Sequence, residues 1–143
     1  MLKSQRLSFH LAAASVVLAA ISLILFFVTN ATVSYAVVDG PVAIVCTVLA
    51  ILLCGGSVFL QARGASEFPT TVLRLLTLGL LMVAFTIVLS DRALVAGGLF
   101  TWNDLDTYGW NAFYTGIACM VFQLLPVLLL IVSSFMRQDA KKR

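Results

Sequence analysis

Asp91 and Arg92 form the most informative polar pair in this chain, standing side by side at the end of a long apolar run. The planar fork of an arginine suits a carboxylate or a phosphate. Arg92 therefore either receives such a ligand or ties outer loops together through Asp39, Asp104 or Asp106. Neighbouring residues on a helix point apart, so each member of the pair is expected to find its partner elsewhere. Just beyond, Phe100, Trp102, Tyr108 and Trp110 alternate with Asn103, Asp104 and Asp106. Rings mixed with carboxylates and amides grip a cation or a sugar through ring contact and hydrogen bonding. The same rings also gather at any membrane–water boundary because they are amphipathic. Asp91, Arg92, Trp102, Asp104, Asp106, Tyr108 and Trp110 are thus the candidate outer set for a ligand or a partner.

A second group lies within apolar runs. Gln123 is the most polar side chain deep in one of them; it lines a permeation path or makes an interhelical hydrogen bond, the latter worth about 0.6 kcal/mol in such settings. With Ser22 and Thr86 it makes up the candidate pore or pocket lining. His10 has no companion with which to hold a metal, and Arg74 is placed to reach lipid headgroups with its long side chain. Cys46, Cys54 and Cys119 all fall in apolar runs and form no C-x-x-C, so they read as small packing residues. There is no H-E-x-x-H, no phosphate-cradling glycine loop with its lysine, and no His-Cys-Asp cluster. No carboxylate sits deep in an apolar run, where a proton-coupled pump usually needs one. The expectation is a non-enzymatic protein without cofactor or metal.

These residues are positioned by four apolar stretches, roughly 7–28, 42–60, 72–89 and 112–135, which occupy most of the 143 residues. A bilayer's hydrocarbon core is about 30 Å thick and a helix rises about 1.5 Å per residue, so about 20 apolar residues suffice to cross it. Amides in lipid meet no water, and a spanning segment must satisfy them internally as a helix. Composition agrees: 62% of residues are hydrophobic and only 10% charged, with a mean hydropathy of +1.08, against about 25% charged in ordinary soluble domains. Too little chain remains for a separate soluble domain, so the whole is expected to be one four-span unit.

Charge placement sets the expected orientation. Lys3 and Arg6 precede the first run, Arg63 and Arg74 flank the second connection, and Arg137, Lys141, Lys142 and Arg143 follow the fourth run. Asp39, Asp91, Asp104 and Asp106 lie in the first and third connections. That is the positive-inside pattern, with both termini cytoplasmic at the plasma membrane. It accounts for the net charge of +3 without a nucleic-acid partner. The first run has a basic start and an A-x-A-like Ser34-Tyr35-Ala36, but it outlasts the about 7–15 apolar residues of a signal peptide, so a retained helix is expected. Asn30-Ala31-Thr32 matches the glycosylation sequon but abuts the membrane.

Helices in lipid meet through small residues. The expected meeting faces are Ala12, Ser15, Ala19 and Ser22 on the first helix, and Cys46, Ala50, Cys54 and Ser57 on the second. On the third they are Gly79, Met82, Thr86 and Ser90, and on the fourth Thr115, Cys119 and Gln123. Pro126 removes a backbone donor and is expected to kink the fourth helix. Residues 32–38 favour an extended strand stopped by Asp39-Gly40-Pro41. The third connection, 91–111, is too apolar to lie free in water: helix three runs on past the interface, the segment dips back, or it packs against the first connection, and the last is favoured. The expected fold is all-α, an antiparallel up-down bundle of four transmembrane helices with a small extracytoplasmic cap from connections one and three. The expected function is an accessory or interaction subunit, engaged with the lipid bilayer and with another membrane protein or a second copy. Alternatives are an oligomeric channel or small-solute carrier, and an outer-face sugar or cation binder.

Overall fold

A computed structural model describes residues 2–30, 37–64, 66–101 and 107–142, with side chains placed within 6–136. The described chain is four helices: α1 Leu2–Asn30, α2 Gly40–Ala62, α3 Glu67–Thr101 and α4 Thr107–Lys142. Each contains a stretch long and apolar enough to cross a membrane. All four outrun the apolar runs that announce them. Hydropathy marks how much helix lipid covers, whereas the helix itself continues until a backbone signal stops it.

Local chemistry supplies those stops. At the end of α2, Gly64 takes a left-handed φ of 70°, the conformation in which glycine commonly closes a helix. Its N–H donates to the Gln61 carbonyl at 3.2 Å, and the Arg63 N–H to that of Phe59 at 3.1 Å. The Arg63 guanidinium lies 4.2 Å from the Phe59 ring centroid. Pro69 falls in the first turn of α3, where a missing N–H costs nothing, while Pro126 lies inside α4. Between α1 and α2, the Asn30 carboxamide accepts the Val37 N–H at 2.7 Å, and the Gly40 N–H turns back to Val37 at 3.0 Å. Asn30 therefore closes a connection. The rest of the expected strand, 32–36, lies outside the described residues.

The buried positions advance by alternating steps of three and four. On α1 they are Ser8, Ala12, Ser15, Ala19, Ser22, Phe26 and Thr29. On α2 they are Gly40, Ala43, Thr47, Ala50, Cys54 and Ser57. On α4 the same rhythm runs from Gly109 to Ser133. A repeat of about 3.5 residues keeps one seam of a helix against its neighbours, as in coiled coils. Packing is heaviest between α1 and α4 and between α2 and α3, with α3·α4 and α1·α2 completing the ring.

Small and polar side chains fill these seams, and large apolar ones turn outward. Val17, Ile24, Leu52, Leu75, Leu128 and Phe135 are all exposed. Buried hydroxyls are satisfied within the bundle. Thr47 donates to Ala43 and Thr77 to Leu73, each at 2.8 Å, the i−4 back-bond open to hydroxyls on a helix. Ser8 and Ser133 instead bond reciprocally between α1 and α4, Ser8 to the Ser133 carbonyl at 3.2 Å and Ser133 to the Ser8 carbonyl at 3.0 Å.

Three of the expected faces need correction. On α4, Thr115 is only half-buried and its hydroxyl donates to the Asn111 carbonyl at 2.7 Å, and the seam passes through Ala112 and Gly116 instead. On α2, Cys46 is only half-buried, and the seam passes through Ala43 and Thr47 instead. On α3 the expected face is the wrong one: Gly79, Met82, Thr86 and Ser90 all point outward. The buried face is Thr70, Arg74, Thr77, Leu81, Ala84, Val88 and Arg92. A small-residue stripe is only a permissive signal, and α3 carries one on each side, the buried one interrupted by leucine, valine and two arginines. The expected outer cap is also replaced over its described part. Residues up to Thr101 extend α3 and those from Thr107 begin α4, so helix accounts for most of connection three. The apolar Leu94–Phe100 stretch is the last two turns of α3.

Candidate functional site

Eighteen residues separate Arg74 from Arg92 on α3, about five turns and about 27 Å of rise, so both face the same way. Both are buried, which overturns the expectation that Arg74 reaches for headgroups. Its Nη2 donates to Gln61 Oε1 on α2 at 2.7 Å, a partner that the α2–α3 turn brings within reach.

Arg92 is the largest fully buried side chain among the described residues, 1% exposed. It does not end α3, as the sequence led us to expect, but sits inside it with more than two turns to follow. Its Nε lies 3.8 Å from Asp91 Oδ2, a separation that two adjacent side chains attain when the longer one bends back along the helix. Asp39 is not paired with it in this arrangement, and Asp104 and Asp106 lie outside the described residues. The guanidinium stem crosses α4 at Gly116. A methyl group there would fall 2.7 Å from Arg92 Cδ and 2.9 Å from Cγ, well inside contact distance. Gly116 is thus the opening through which Arg92 enters the bundle.

Below this crossing the interior remains polar. Cys119 lies one turn along α4 from Gly116; its Sγ is 3.6 Å from the Ser22 carbonyl, with the Ser22 hydroxyl at 3.8 Å. Farther along α1, the Ser15 hydroxyl donates to Ala12 at 2.6 Å and lies 3.2 Å from Cys54 Sγ. Gln123 follows Cys119 by one turn, 1% exposed, and its Oε1 has no hydrogen-bond partner among the described residues. Ser22 and Gln123, two of the three candidate lining residues, therefore share the interior. Thr86, the third, does not join them. It is exposed, and its hydroxyl donates to Met82 at 2.8 Å.

Thr86 belongs to a groove on the outside of the bundle, about 380 Å³, between the start of α2 and the middle of α3. Val37, Ile87, Thr86 and Ser90 line it together with Asp39 and Asp91. The Val38 N–H points to Asp91 Oδ1 at 3.4 Å, so connection one touches α3 here. The structure thereby brings together Asp91 and Thr86, which the sequence assigned to different sites.

The outer aromatic set is only partly within view. Trp102, Asp104 and Asp106 lie outside the described residues. Trp110 packs edge-on against Phe100 at 5.5 Å and Phe113 at 6.1 Å between centroids, and lies 6.1 Å from Tyr114. These rings clamp the end of α3 to the start of α4. Tyr108 is exposed. His10 is exposed as well, its ring 5.9 Å from that of Phe9. Among the described residues no three His, Cys, Asp or Glu side chains gather as a metal set.

Sequence reasoning missed Gly116, Gln61 and the Ser8–Ser133 pair. Gly116 sits one step from Cys119 on the stripe that was noticed, so its spacing was a usable signal. Nothing in the sequence linked it to Arg92. Compared with family models, with curated proteins and with solved structures, the chain matches none.

Proposed function

We propose that this chain is a non-enzymatic integral protein of the plasma membrane, an accessory or interaction subunit of a membrane complex. In this reading its helices cross the bilayer up and down, antiparallel, with both termini cytoplasmic. The supporting observation is where the polar side chains find partners. Ser8 with Ser133, Ser15 with Cys54, Ser22 with Cys119 and Arg74 with Gln61 are joined across helices within the chain. An interior spent on its own cohesion leaves the flank and the outer end to meet other molecules. Large apolar side chains facing outward over small and polar ones facing inward is the distribution lipid demands.

Alkaline carbonate extraction should leave the protein in the membrane pellet. On intact cells, an externally applied thiol reagent should label an Asp104→Cys variant and not an Arg63→Cys variant; the reverse pattern inverts the topology. Mild-detergent purification from its native cells should recover one other membrane protein in fixed ratio. Elution alone would remove the accessory reading.

The unpartnered Oε1 of Gln123 favours a second reading, an oligomeric channel or carrier for a small neutral solute. A buried acceptor without a donor is costly, and a passing hydroxyl or amide would supply one. Gln123→Leu should then change solute flux in liposomes, and identical flux would remove this reading.

A further inference from the structure

We infer that a single water molecule is bound inside the bundle where Pro126 interrupts α4, donating one hydrogen to Gln123 Oε1 and the other to the Phe122 carbonyl. This goes beyond both readings above, since a resident water needs neither solute passage nor a partner protein. Gln123 is 1% exposed, and its Oε1 has no hydrogen-bond partner among the described residues. Buried polar atoms are nearly always paired, either with protein or with ordered water. The second acceptor follows from the backbone. In an α-helix the N–H of residue 126 would meet the carbonyl of residue 122. Pro126 has no N–H, and its ring pushes that carbonyl aside. Because Pro126 is fully buried, the bond it leaves unmade lies toward the inner side of α4, the side that Gln123 also faces. Two acceptors that the helix does not serve thus come from adjacent residues and share one face.

Water is the occupant that this chemistry selects. It carries two donors on one small atom, and buried waters characteristically satisfy polar groups that the chain leaves unmet. A water inserted into the backbone ladder is also a recurrent feature of bent helices. The Ser22 hydroxyl does not take its place: it lies 3.8 Å from Cys119 Sγ, one turn from Gln123, and is not a partner of Oε1. A cation would bring an uncompensated charge among apolar neighbours. Val127, on the next turn of α4, belongs to one buried cluster with Ala19, Ala50 and Leu81, side chains that could not balance it. A larger solute would have to part helices packed at close range.

The test is X-ray radiolytic labelling of the full chain in nanodiscs. Hydroxyl radicals formed from a bound water oxidise the side chains beside it, and mass spectrometry locates the added oxygen. Dividing each rate by that of the chain unfolded in denaturant removes differences in side-chain reactivity. Pro126 and Cys119, both fully buried, should label well above Leu81, which is just as buried on α3. Gln123→Leu should lower the rate at Pro126 about tenfold, the ratio that one lost hydrogen bond supports. Pro126→Ala returns an N–H to the Phe122 carbonyl and takes one acceptor from the water. Read at Cys119, it should lower the rate as well, and it keeps the test decisive should Gln123→Leu not fold. Rates at Pro126 and Cys119 no higher than at Leu81, or unchanged in either variant, overturn the inference. Solute flux in liposomes is read separately, so the channel reading can fail while the water stands, or stand while the water fails.

Discussion

The two arginines of α3 occupy the same helical face and the same degree of burial, yet they are held by opposite means. Arg74 is met by an added polar group, the Gln61 carboxamide at 2.7 Å. Arg92 is accommodated by a subtraction, the missing side chain of Gly116, with its neighbour Asp91 3.8 Å from Nε. One end of the bundle is thus fastened by a hydrogen bond across a short turn. At the other, α4 approaches closely enough that the arginine stem fills what would have been a β-carbon. A bond can be lost and partly replaced by water near the surface. A steric fit deep between helices has no substitute, because interiors are close-packed and relax incompletely.

Gly116→Leu sharpens this contrast most. It forces a branched side chain into space held by Arg92 and should cost about 3 kcal/mol or more, above the usual overpacking penalty of roughly 1–3 kcal/mol, measured by reversible denaturation in bicelles. The same substitution made with Arg92→Ala should cost at most about half as much, since neighbouring changes of this kind are not additive. Full additivity would mean that the two residues do not share space.

At the other end, Arg74→Ala leaves the Gln61 carboxamide without its donor and should destabilise by about 1–2 kcal/mol. Gln61→Ala should have a similar effect, and the double variant little more than either alone. An Arg74→Ala loss equal to that of Gly116→Leu would erase the difference between the two ends.

Smaller effects test what flanks each arginine. Phe100→Ala removes the edge-on contact with Trp110 and should cost about 0.5–1.5 kcal/mol, with faster hydrogen exchange confined to the last turns of α3. Ser8→Ala deletes one side of the reciprocal bond to Ser133. It should cost only about 0.6 kcal/mol, the mean for such pairs in membranes, and a loss several times larger would show that this pair anchors α1 to α4.

The face of α1 was legible because Ala12, Ser15, Ala19 and Ser22 keep an alternating three-and-four spacing, and that stripe is the buried one. That of α3 was not, because Gly79, Thr86 and Ser90 make an equally plausible stripe on its outer side. The Asp91–Arg92 pair was recognised as important, but its place within α3 rather than at its end was not. Helix ends were placed where hydropathy falls, and α3 continues as a helix through Thr101.

Taken alone, the residues determined four helices and their approximate places, because length and hydropathy act through composition and need no partner. Only the tertiary structure decided which side of α3 faces inward, that Gln61 meets Arg74, and that Gly116 yields its space to Arg92. Lipid tails and protein cores are both apolar, so burial leaves little periodic mark on a membrane helix. Which face is hidden depends on where neighbouring backbones come close, and that is a property of pairs of helices.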